Sequence, residues 1–239
     1  MLARPDQETV QQGACEALTN LARDDDDMRV KITWAGGIEA VVTAIQAHKT
    51  SALLQEKECG ALRILARNDH NKVKIAAAGG IEAVVAVMQT HKTSAGVQEY
   101  ACRALWNLAR NPDNQVAVAA AGGIVAVVAA MQAHKSSAGV QEMACGALRN
   151  LAAKNPANRD AISAAGAIEA LATAMKTHQA SALVQQNACW ALYNLAGNAS
   201  LRARIKAAGG VELAKRAVSA SDATANTKDW GKQLLDKLA

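Results

Sequence analysis

At 239 residues, 51% hydrophobic and 20% charged, with no phenylalanine, the chain has the make-up of a folded globular protein whose small apolar residues suit helix packing better than aromatic-filled sheets. Its net charge of +5 is spread along the chain rather than gathered into a patch, which argues against a dedicated nucleic-acid binder. No apolar run reaches the roughly 18 residues that a membrane span needs, and the first eight residues carry no apolar signal segment.

The first element is a helix over 6–23 that ends in the motif Ala14-Cys-Glu-Ala-Leu-Thr-Asn-Leu-Ala22. The motif returns at 58–66, 101–109, 144–152 and 188–196, so that Cys15, Cys59, Cys102, Cys145 and Cys189 recur at steps of 44, 43, 43 and 44 residues. A period in the forties is that of a solenoid of helical repeats. Repeats then follow over about 24–67, 68–110, 111–153 and 154–197. A polar capping repeat over 198–239 closes the chain, its last helix (about 223–238) having lost the Cys and the Asn.

The unit at 111–153 is the cleanest. Asn111-Pro-Asp-Asn is a turn and helix-entry cluster, and a short helix over 115–121 follows. Gly122-Gly123 breaks it, because glycine readily takes the left-handed conformation of a sharp turn. A second helix over 124–134 is apolar on nearly every side and expected to be buried. A third helix over 140–153 carries the motif. Helices before 6–23 are missing from this order, which suggests either a piece of a longer array or a first helix covered by another chain. End-to-end self-association through that uncapped helix is therefore an expectation. Near-identity of neighbouring repeats also allows an engineered, consensus-like array.

Two residue strings and the three-helix order that joins them carry a family likeness: Asn114-x-x-x-Val-x-x-Ala-Gly-Gly-Ile, then Val-Gln-Glu-x-Ala-Cys-x-Ala-Leu-x-Asn-Leu-Ala. Together they resemble the armadillo repeat over nearly the whole chain. The HEAT repeat, the competing helical solenoid, lacks the short first helix and the glycine turn. The likeness implies an all-α, right-handed superhelix of three-helix repeats forming one domain over 1–239, with third helices lining a concave groove. One departure is Glu39, Glu82, Glu169 and Glu212, with Val125 in one copy, where the family commonly has proline. Glutamate in a first helical turn suits the helix dipole.

At about 100° per residue, Arg103, Trp106, Asn107 and Arg110 share one face of their helix, opposite Val97, Ala101, Ala104, Leu105 and Leu108. The equivalent asparagines Asn20, Asn107, Asn150 and Asn194 are expected to form a ladder, with Ile64 breaking it. An amide both donates and accepts, so such a row spaced about 10 Å apart matches the main chain of an extended peptide at about every third residue. In armadillo proteins similar to importin alpha this Asn, and a Trp four residues earlier, bind peptide in that manner. Here only Trp190 and Asn194 make the full pair, since Glu16, Gly60, Arg103 and Gly146 hold the other Trp positions. A second reading stays open, in which each Asn ties neighbouring third helices together.

Arg63, Arg103, Trp106, Arg149, Trp190 and Tyr193 complete the predicted peptide-binding set with the four asparagines. The arginines outnumber the glutamates on this face, and guanidinium suits carboxylate or phosphate. The expected ligand is an extended acidic, mixed-charge or phosphorylated protein segment; a nuclear-localisation-signal receptor, which should show an acidic groove, is the alternative. Pairing of these arginines with neighbouring glutamates is the plainer reading of the same charges. Trp34 is read as filler between repeats.

Cysteines at equivalent repeat positions sit too far apart for disulfides and read as reduced packing residues in an intracellular (cytoplasmic or nuclear) protein. His48, His91, His134 and His178 recur at second-helix ends, too widely spaced to share a metal ion, and a cationic group near the last carbonyls accounts for them. No catalytic or phosphate-loop motif occurs. The sequence thus predicts a non-enzymatic binding scaffold with no cofactor, no metal and no small-molecule substrate.

Overall fold

A computed structural model describes residues 7–239; the start of the first helix at residue 6, and the sequence reading of residues 1–6, lie outside them. Among the described residues there are sixteen helices and no strand. A single helix, α1 (Glu8–Ala22), precedes five triplets. The first is α2 (Asp26–Trp34), α3 (Gly37–Ala47) and α4 (Ala52–Leu65), and the second α5 (Asp69–Ala77), α6 (Gly80–Thr90) and α7 (Ala95–Leu108). The third is α8 (Pro112–Ala120), α9 (Gly123–Ala133) and α10 (Ala138–Leu151). Then come α11 (Pro156–Ala164), α12 (Ala167–Thr177) and α13 (Ala182–Leu195), followed by α14 (Ala199–Ala207), α15 (Gly210–Ser219) and α16 (Ala225–Leu238). The helices pack into two compact units that divide inside α9, unit 1 ending at Ala126 and unit 2 running from Val127 to Ala239.

Side-chain caps set the starts. The Asn111 side chain accepts from the Asn114 amide at 3.0 Å, and Pro112 takes the first helical position, so α8 begins three residues before the predicted 115. Ser94, Ser137 and Ser181 cap the third helices in the same way, which starts α10 at Ala138 rather than 140. The turn between first and second helices rests on one left-handed residue, with φ of 75° at Gly79 and 78° at Gly122, a region that a side chain disfavours.

Each third helix turns its apolar stripe inward, and Val97, Ala101, Ala104, Leu105 and Leu108 are fully buried. All five cysteines are buried, and none is in a disulfide. Burial pushes the thiols of Cys15, Cys102 and Cys189 up to about 12, so they stay protonated and poorly nucleophilic. The stripe is less covered on α1, where Leu21 is 56% exposed while its counterpart Leu65 on α4 is 1% exposed.

Polar staples hold the layers. Gln98 donates to the carbonyls of Met88 and His91, both at 2.9 Å, fastening a third helix to the end of the second. Gln55, Gln141 and Gln185 do the same in their repeats. The histidine row has a different use from that inferred from the sequence. His91 Nε2 sits 2.7 Å from the Lys49 carbonyl and His178 Nε2 2.8 Å from the Lys135 carbonyl, each reaching back one repeat. Trp34 is not filler: it is 77% exposed, and its counterparts Ala77, Ala120, Ala164 and Ala207 are exposed as well. The position faces solvent in every copy, so no neighbouring repeat covers it. Among the described residues no single helix is long and apolar enough to cross a membrane.

Candidate peptide-binding face

The third helices of unit 1 are α1, α4 and α7, and those of unit 2 are α10, α13 and α16. Their outward faces carry the predicted site residues. In unit 1, Asn20 is exposed and its Oδ1 accepts from Arg23 at 3.3 Å. Arg63, Arg103, Trp106 and Asn107 are half-buried. In unit 2, Arg149, Asn150, Trp190, Tyr193 and Asn194 are half-buried too. Ile64, at the Asn position of α4, is only 2% exposed and adds apolar floor instead of an amide.

Asn107 Nδ2 donates to the Arg63 carbonyl on the preceding third helix at 2.9 Å. The local backbone explains why that oxygen is open. Past the end of α4 the Arg67 amide bonds to Ile64, three residues back, rather than to Arg63. A helix C-terminus leaves such carbonyls without an internal partner, and the asparagine supplies one. Asn194 repeats the bond on the Arg149 carbonyl at 2.9 Å, where the Ala153 amide has likewise turned to Asn150. Each amide spends one N–H in this way, which orients it and leaves a second N–H and an oxygen.

Alignment of α16 with α13 places Lys237 at the Asn position, and its Nζ lies 3.3 Å from the Tyr193 carbonyl. A cation thus takes the place of the amide in the last repeat. It also lies 3.9 Å from the Tyr193 ring centroid. Burial, then Arg159 and Arg202, hold its pKa below the ordinary lysine value.

A column of residues that the sequence reading missed lies seven places before each Asn position from residue 64 onward: Lys57, Tyr100, Met143, Asn187 and Trp230. Seven residues are almost two helical turns, so these side chains share the face of the asparagines, and a search at that spacing finds them. Each described contact reaches back to the preceding third helix. Lys57 pairs with Glu16 at 3.0 Å. The Tyr100 ring centroid lies 5.8 Å from the Arg63 guanidinium. Asn187 Oδ1 accepts from Arg149 at 2.9 Å. Trp230 stacks on Trp190 with centroids 3.9 Å apart and 12° between planes.

Trp190 is consequently sandwiched. Arg149 lies 4.2 Å from its centroid on one side and Trp230 covers the other. Arg149 also donates to Asn150 Oδ1 at 3.2 Å, so two amides and an indole are among its partners. Among the described residues no three side chains of His, Cys, Asp and Glu gather as a metal-binding group.

The armadillo/beta-catenin-like repeat profile matches residues 68–110, 111–153 and 155–197. No curated protein matches the sequence. Among solved structures, an engineered protein shares 26% identity with a TM-score of 0.87, over 98% of this chain and 93% of that one. A designed armadillo repeat protein shares 22% identity with a TM-score of 0.84, over 95% and 93%. Another designed armadillo repeat protein, in complex with the peptide (KR)4, shares 21% identity with a TM-score of 0.82, over 95% and 92%.

Proposed function

The chain belongs to the armadillo/beta-catenin-like repeat family, and on that footing we propose that it is a non-enzymatic scaffold holding an extended acidic or mixed-charge peptide against its third-helix faces. The observation that carries the reading is the half-spent amide. Asn107 and Asn194 each commit one N–H to a neighbouring carbonyl and keep a donor and an acceptor on a half-exposed face. Those two groups are what a peptide main chain offers in complementary form. Stapling the helices and gripping a ligand are compatible in one side chain, since the first fixes the geometry for the second.

Charge supports an acidic ligand. Arg23, Arg63, Arg103 and Arg149 bring four guanidiniums to this face, and guanidinium suits carboxylate. The (KR)4 peptide of the designed armadillo protein is basic; the nuclear-signal alternative loses support here because both faces of Trp190 are covered. One observation favours an engineered scaffold without a native partner, namely that the structural relatives are themselves engineered or designed. Five buried cysteines outside any disulfide support a reducing, intracellular setting.

A peptide array of ten-residue acidic, mixed and basic segments, probed with the wild type and with Asn107→Ala/Asn194→Ala, tests the reading. Acidic and mixed peptides should be retained by the wild type and lost by the double variant. Asn71→Ala is the control, because Asn71 is a buried staple remote from solvent. Loss of binding in the control alone, or equal retention by all three proteins, overturns the proposal.

A further inference from the structure

Between α1 and α4, on the third-helix face of unit 1, lies a cavity of about 270 Å³. Its floor is opened by Gly60, whose counterparts on other third helices include Glu16, Arg103 and Trp190. One wall is Tyr100: a Cβ placed on Gly60 would lie 3.5 Å from Tyr100 Cδ1. Against that ring lies the Arg63 guanidinium, 5.8 Å from the centroid.

Arg63 Nε is buried and has no hydrogen-bond partner. A buried charged donor left without an acceptor carries a desolvation cost that an anionic ligand would relieve. The field around it is positive. Arg23 lines the same cavity, and burial followed by the charges of Arg103, Arg67 and Arg23 presses the Arg63 pKa down from its ordinary value. Two carboxylates also line the cavity, Glu16 and Glu56. Glu16 is engaged by Lys57 at 3.0 Å, which leaves the guanidiniums in excess.

We propose that this cavity is a phosphate-monoester subsite that receives a phosphorylated serine or threonine side chain of the bound segment, with Arg63 and Arg23 as its guanidinium donors. A planar guanidinium presents parallel N–H groups that match phosphate oxygens, and the Tyr100 ring flanks the Arg63 fork. A phosphate monoester carries close to two negative charges and three strong acceptors, which answers several arginines where one carboxylate answers one. The inference rests on the reading that the third-helix face holds an extended peptide, and it adds the chemistry of one side chain in that peptide.

Titration calorimetry of the full chain with N-acetyl-phosphoserine-N-methylamide, N-acetyl-glutamate-N-methylamide and inorganic phosphate tests it. The phosphoserine compound should bind saturably and more tightly than the other two. Arg63→Gln should weaken it about 10- to 100-fold, the loss of a charge-assisted hydrogen-bond pair. Arg63→Lys should lie between, keeping charge without the fork, and remains informative if the Gln variant does not fold. Gly60→Leu should abolish binding by filling the cavity, whereas Lys206→Gln on α14 of unit 2 should change nothing. Absence of saturation, equal affinity for the glutamate compound, tighter binding of free phosphate, or indifference to both Arg63 substitutions overturns the subsite. Retention of unphosphorylated acidic peptides on the array alongside any of these outcomes leaves the peptide-scaffold reading standing and removes only the subsite.

Discussion

Asn107 on α7 donates to the carbonyl oxygen of Arg63 on α4, 2.9 Å away and 44 residues earlier in the chain. The bond closes a helix end that has no internal partner and ties two third helices together. Removing it with Asn107→Ala should cost about 1 kcal/mol in denaturant unfolding, the net worth of one part-buried hydrogen bond. Asn71→Ala deletes two bonds from a fully buried amide, to Arg29 at 3.1 Å and Leu65 at 3.2 Å, and should cost about 2–3 kcal/mol. A reversed order would show that Asn107 does more for the fold than the contact describes.

Glu58 predicts a pH dependence of opposite sign to that of ordinary surface carboxylates. It stands where the motif has Ala14, Ala101, Ala144 and Ala188, it is fully buried, and neither carboxylate oxygen has a partner. Burial, then the charge of Glu8, raises its pKa to about 8, with the buried thiols of Cys15 and Cys59 also feeling its charge. An acid whose folded pKa is raised binds more protons folded than unfolded. Its contribution is therefore fully present below about pH 4.5 and is lost as pH climbs toward 8, a fall of about 3–5 kcal/mol. Urea unfolding from pH 5 to 8.5 should show this decline, and Glu58→Ala should remove it and raise the melting temperature at pH 8. A decline of the same slope in the variant assigns the effect elsewhere.

The sandwich at Trp190 predicts weak binding of basic peptides. With one face under Arg149 and the other under Trp230, the indole offers no slot for a lysine or arginine stem. The double variant Arg149→Ala/Trp230→Ala uncovers both faces and should improve affinity for (KR)4 by about 3- to 10-fold, the range of a cation–π contact. Wetting of Trp190 should shift the summed emission of the three remaining tryptophans to the red. Unchanged affinity in a folded variant would mean that charge, not the covered indole, sets the preference.

Buried thiols whose pKa is raised react slowly with disulfide reagents. In native buffer at pH 8 a chromogenic disulfide should label essentially no cysteine, and in guanidinium it should label all five. Rapid native labelling of one thiol would point to local opening of its repeat.

The period and the glycine joints made the helix order legible, because both act through local backbone rules. Starts were misplaced by two or three residues where a cap reached further forward than the apolar pattern, as at Asn111 and Ser137. The outward face of α7 followed from helical angles alone. What did not follow was what meets it. Stacking of Trp190 on Trp230 joins residues forty apart, from a helix whose motif has decayed, and angular reasoning on single helices cannot pair them. The same holds for His91, whose partner is a main-chain oxygen of the preceding repeat and so leaves no residue signature. Trp34 differs from the expected filler because its position, alanine in the other copies, is exposed in each of them.

Three of the connections between repeats share one property. Asn107 meets Arg63, His91 meets Lys49 and Asn114 meets Lys72, yet in each case the acceptor is a peptide oxygen. Any residue but one that distorts the helix would present the same oxygen. Cohesion at these joints therefore imposes no spelling on the partner position, and Arg63, Arg149 and Tyr193 differ at one equivalent site. Such an array can diversify its ligand preferences one repeat at a time without renegotiating the joints that hold it together.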